Sequence, residues 1–189
     1  MSVLATAGVV TCGLARPALP GGAWLSDAVA LCVTGPVLAF AEELGWRGYL
    51  LPRLLWLGEG MALLVSGVVW VGWHLPYILL TPYYHADGNR ALVLALFAGS
   101  VLAFSVLFGR LRLRSGSLWP VVLGHFAHNA AFAWIGAHAI ATTHPVVVTE
   151  YLAGDTGLFV LLGTAFSALL LGSQPLRGTA SSRPPTTSA

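Results

Sequence analysis

Ala41-Glu42-Glu43-Leu44-Gly45-Trp46-Arg47-Gly48-Tyr49-Leu50 sets two adjacent carboxylates and a guanidinium into a chain that is otherwise almost continuously apolar. An ionisable group inside a membrane span costs about 2.5–3.5 kcal/mol on insertion scales, so such groups tend to be paired and functional. On a helix, Glu43 and Arg47 lie one turn apart on a shared face and can pair. Glu42 is rotated about 100° from Glu43 and, on spacing alone, lacks that partner. The stretch reads as one structural carboxylate, Glu43, and one available for chemistry, Glu42.

Working outward, the surroundings fix the class. Of 189 residues, 57% are hydrophobic and 8% charged, against about 25% charged in soluble domains. The expected fold is all-α, a polytopic transmembrane helical bundle of about five spans plus a short N-terminal hydrophobic helix. One integral membrane domain covers residues 1–172, and a tail rich in Ser, Thr and Pro, 173–189, lacks an apolar face and is expected to be disordered. A formal charge of +2 gives no case for nucleic-acid binding. Cys12 and Cys32 lie in apolar runs without C-x-x-C spacing and read as small hydrophobes.

Ser2 to Ala15 is apolar but short of the roughly 20 residues a span needs. After a Pro/Gly-rich loop, Ser26 or Asp27 can cap the first span. That span runs through Pro36, a kink site, and the acidic stretch to Pro52-Arg53. Further spans are expected at Met61–Leu80, Ala91–Phe108, about Leu118–Ile140 and about Gly157–Leu171. If they alternate, Arg53, Arg110, Arg112, Arg114, Arg177 and Arg183 share one side and only Arg16 and Arg90 the other, which makes the first side, with the C-terminus, cytoplasmic.

Depth follows from the helical rise. Glu42 lies roughly 16 Å below Arg53, and His74 roughly 20 Å below Met61. His125 and Asn129 lie roughly 12 and 18 Å below Ser117. Polar groups on three helices therefore fall in one layer. His125 and Asn129 are spaced i, i+4 and face the same way. His74 precedes Leu75-Pro76, so the chain is expected to bend just past it, with Trp70 one turn earlier walling the site. A carboxylate, two imidazoles and an amide suit peptide-bond hydrolysis, in which a base activates water and fixed donors hold the oxyanion. A lone intramembrane histidine commonly just bonds two helices together; three motifs at one depth exceed what packing requires. His128, one residue off the His125 face, reads as packing. His85 in a loop, and His138 and His144 near the opposite membrane face, read as non-catalytic.

The motifs Glu42-Glu43-x-x-x-Arg47, Trp70-x-x-x-His74 and His125-x-x-x-Asn129, in that order and each in an apolar segment, resemble those of the CAAX protease and bacteriocin-processing (CPBP) family. This family includes the type II CAAX prenyl proteases. Gly48-Tyr49-Leu50-Leu51-Pro52 and Gly116-Ser117-Leu118-Trp119-Pro120 are similar to bacterial members, and the resemblance covers about 35–131. Trp70 takes the place of the pattern's Phe.

The resemblance implies an intramembrane endopeptidase of the cell membrane acting on a membrane-associated peptide or protein. Glu42 and His74 would activate water, His125 and Asn129 would stabilise the oxyanion, and Arg47 would hold the acidic pair. No cofactor is expected, because Asn129 beside His125 suits an oxyanion and the chain has no His-Glu-x-x-His helix. The alternative is zinc on Glu42, His74 and His125. Two other functions fit the composition: a proteolytically inactive member acting in bacteriocin immunity or as a membrane partner, and a proton-coupled transporter with a Glu/His relay.

Overall fold

The computed structural model describes residues 1–82 and 84–173. Its helices are α1 (Ser2–Thr11), α2 (Trp24–Glu43), α3 (Leu51–Leu54), α4 (Glu59–Leu80), α5 (Arg90–Ser115), α6 (Trp119–His138) and α7 (Leu158–Ser173). An all-α bundle results, with helices at all five places where spans were expected. Three segments are long and apolar enough to cross a membrane: Trp24–Leu57, Glu59–Leu80 and Arg90–Ser115. Ser2–Thr11 and Leu158–Ser173 are shorter apolar helices. Ser173 closes α7 rather than opening the tail, and the disorder expected for the remaining tail falls outside the described residues.

A trio and a pair of helices frame the molecule. α5 packs between α4 and α7, while α2 packs on α6. Both contacts use glycine where backbones approach closely, as membrane helices do. A Cβ on Gly35 of α2 would sit 2.6 Å from the Phe126 ring of α6, and one on Gly67 of α4 would sit 2.9 Å from Leu102 of α5. Ser105 adds a hydrogen bond from its hydroxyl to the Leu63 carbonyl, 2.9 Å. The core is aromatic: Trp70, Phe97, Phe104 and Phe108 are all buried.

Four local expectations change. α2 begins at Trp24 with no side-chain cap; Asp27 is instead drawn to His138 of α6, 2.9 Å away. The first span does not stay α-helical, because Leu44–Leu50 form a π-helical turn before α3. Gly45 and Gly48 loosen the backbone there, and Pro52 has no N–H with which to continue the ladder. Such turns are frequent at functional sites. The bend expected just past His74 leaves no break in the helix: α4 is helical through Pro76 to Leu80, where that span was expected to end. Finally, Arg110, Arg112 and Arg114 lie on α5 itself, which stops only where Gly116 takes the left-handed conformation, φ 67°. Arginine is a good helix former and suits a helix C-terminus, so no residue before Gly116 ends the helix.

Candidate active site

The end of α2 with the π-helical turn that follows it, α4 and α6 bring the three sequence motifs to a common cavity of about 660 Å³. Glu42, His74, His125 and Asn129 all line it, together with Trp70. Phe97, Val101, Phe104 and Phe108 of α5 supply an apolar floor. The four residues singled out by depth and spacing are therefore neighbours of one space, although Glu42 and Asn129 are more than 80 residues apart in sequence.

Glu43 and Arg47 are buried to 0% and 1% exposure and form the expected pair, Arg47 Nη1 donating to Glu43 Oε1 at 2.9 Å. The guanidinium lies over the Trp70 ring, 4.2 Å from its centroid. That stacking gives Trp70 a use beyond walling the cavity: it covers a buried cation. His125 Nδ1 also donates to Glu43 Oε1, at 2.7 Å. The sequence reading had no partner for His125.

His74 has its own anchor. Its Nδ1 lies 3.0 Å from the Trp70 carbonyl oxygen. A carbonyl only accepts, so Nδ1 carries the hydrogen and a neutral His74 presents the lone pair of Nε2. Its ring packs on Phe97, 5.3 Å between centroids. Glu42 is half-buried and, among the described residues, makes no side-chain hydrogen bond or ion pair. Its separation from the Arg47 pair is the one the helical rotation anticipates. Asn129 is exposed on the cavity side of α6.

Several lining residues were not placed at the site by the sequence reading, His128 among them because it read as packing. His128 lines the cavity too, its ring 4.5 Å from Phe104 and 4.8 Å from Phe132. Tyr84, Asp155 and Thr156 line it from two loops. They belong to a latch centred on His85, which is buried although it sits in a loop and holds φ at 54°. His85 Nδ1 meets Glu150 Oε2 at 2.7 Å, and Nε2 lies 3.0 Å from Thr156 Oγ1 and 3.4 Å from Asp155 Oδ1. Tyr84 donates to Asp155 Oδ2 at 2.5 Å. Burial first, and then the Asp155 charge, push the Tyr84 phenol well above its ordinary range, so it stays a donor. The available signal was a loop unusually rich in Tyr, His and acid, but partners 65–71 residues away cannot be read from spacing.

Among the described residues, no three His, Cys, Asp or Glu side chains come together closely enough to hold a metal ion.

The family model for type II CAAX prenyl endopeptidases, Rce1-like, matches residues 23–131, more than half of the chain. The chain belongs to that family. The matched segment contains all three motifs and begins and ends with the α2–α6 pair that frames the cavity. No curated protein and no solved structure matches the chain. Membership of the type II CAAX prenyl endopeptidases implies protease activity on a membrane-associated protein, and the apolar helices make this member a membrane protein.

Proposed function

We propose that this protein is an intramembrane endopeptidase of the cell membrane that hydrolyses a peptide bond with a water activated by Glu42 and His74. The observation that carries the reading is the meeting of Glu42, His74, His125 and Asn129 on one cavity within apolar helices. A free carboxylate and an imidazole with an available Nε2 can share the proton of an attacking water. The water oxygen bonds to the scissile carbonyl carbon, and the carbonyl oxygen takes up the negative charge. His125 and Asn129 donate to that oxygen, stabilisation that is strongest in a site shielded from bulk water. When the C–N bond breaks, the proton taken from water passes to the departing amine. The Arg47–Glu43 pair and Trp70 hold the framework beneath these groups.

We read the mechanism as glutamate-type and metal-independent, because Asn129, a poor zinc ligand but a good hydrogen-bond donor, lines the cavity beside His125 and suits an oxyanion. The cavity is taken to open towards the arginine-rich, cytoplasmic side. The substrate is a membrane-associated peptide or protein in the lipid bilayer, and a prenylated CAAX terminus is the first to try, given the family. The deciding experiment compares membrane peptidomes of cells carrying wild type and Glu42→Gln. Peptides shortened only in wild type support the reading. Identical peptidomes at matched expression refute it, and a Glu42-dependent proton flux would then favour transport.

A further inference from the structure

Glu43 fits the pattern of a structural ion pair, yet its geometry is not that of one. An arginine and a carboxylate left to themselves commonly form a fork of two parallel N–H···O bonds. Here Arg47 Nη1 and His125 Nδ1 converge on the same oxygen, Oε1. Among the described residues, Glu43 Oε2 and Arg47 Nη2 are buried with no hydrogen-bond partner. Leaving buried polar atoms unpaired is costly. The carboxylate is thus turned away from its best arrangement with Arg47 and towards the imidazole.

That turn fixes the imidazole. A carboxylate accepts, so the hydrogen sits on Nδ1 of His125 and Nε2 is the ring nitrogen left for the cavity. Trp70 packs at the ring's edge, 5.7 Å away, and Phe108 lies 5.9 Å away. To donate to an oxyanion, Nε2 must carry a hydrogen as well.

We propose that Glu43 is a positioning residue that takes the Nδ1–H of His125 and so aims Nε2 at the substrate's carbonyl oxygen, Arg47 fixing the carboxylate for this purpose. The proposal rests on the oxyanion reading of His125 and adds a second carboxylate to the reaction, acting through the histidine rather than on substrate.

The test has a spectroscopic arm and a kinetic arm, both on the full chain in lipid nanodiscs. In ¹⁵N-histidine protein, the His125 signals are assigned by their loss in His125→Gln. A hydrogen-bonded, protonated Nδ1 that shifts in Glu43→Gln is expected; an unprotonated Nδ1 in wild type, or signals indifferent to Glu43→Gln, overturns the proposal. For kinetics the probe is a quenched fluorogenic farnesylated CAAX peptide. Glu43→Gln should lower kcat on the order of 10²-fold or more with KM little changed, as loss of a histidine-orienting carboxylate does. Residues acting as one unit are non-additive, so in a His125→Ala background the same change should cost less than about 3-fold. Additive losses would mean that Glu43 acts elsewhere. If Glu43→Gln fails to fold, the wild-type spectrum alone decides. No cleavage by wild type, or full activity in His125→Ala, instead removes the oxyanion reading, while the spectrum still reports on the Glu43 bond.

Discussion

Substituting Glu42 by Gln should separate chemistry from stability, because the two adjacent carboxylates are held so differently. Glu42 is half-buried and makes no side-chain hydrogen bond or ion pair among the described residues. Gln keeps its volume, so the change should stay within about 0.5 kcal/mol of wild-type stability, as for substitutions away from specific networks. The same change removes the proposed base. General-base help is worth about 10²–10⁴-fold, or about 3–5 kcal/mol of barrier at 1.36 kcal/mol per tenfold. Arg47→Met should behave in the opposite way. It strips the partner from a carboxylate with 0% exposure, and breaking a buried pair from one side costs about 3–5 kcal/mol. The assay pairs thermal melts of purified protein in nanodiscs with cleavage of a peptide found shortened in wild-type membranes. Matched melting with activity lost only in Glu42→Gln is the expected pattern. Activity of Glu42→Gln within about 3-fold of wild type would refute the base assignment, and a melting loss equal to that of Arg47→Met would refute the account of how Glu42 is held.

Three further outcomes follow from the geometry. Tyr84→Phe should loosen the latch by about 1.5–3 kcal/mol, the worth of a hydrogen bond to a charged group; because the folded phenol titrates above its unfolded value, its contribution is full below about pH 10 and is lost as pH rises through the folded value, so melts of wild type and Tyr84→Phe should converge only under alkaline conditions. Cysteines placed at Ser115 and Ser181 should resist impermeant reagents in intact cells and react after permeabilisation, and external labelling of both would reverse the orientation. Purified protein should hold less than one zinc per chain and keep its activity in strong chelator; activity lost on chelation and restored by zinc alone would replace the glutamate-type mechanism.

The readable part of this protein is its local part. Helical periodicity operates within one turn, so Glu43 and Arg47 could be paired, and Glu42 set apart from them, without any knowledge of the other helices. Membrane thickness and the 1.5 Å rise together put His74, His125 and Asn129 at the depth of Glu42, and that was enough to predict a shared site. The composition alone gave an all-α bundle. Where the reading of α2 and α5 failed, it failed at ends, since a π-helical turn and seven extra residues of helix depend on small backbone preferences that apolar patterning does not weigh.

What only the tertiary structure decided is partnership at a distance. His125 lies 82 residues from Glu43, and which of its nitrogens is taken depends on how α6 packs on α2, where Gly35 lies close against Phe126. His85 read only as a non-catalytic loop histidine. It is buried because two loops 65–71 residues apart fold onto each other at the rim of the cavity. Side-chain direction along one helix follows from backbone geometry, whereas the choice between two possible acceptors on different helices follows from packing, and no spacing in the chain encodes it.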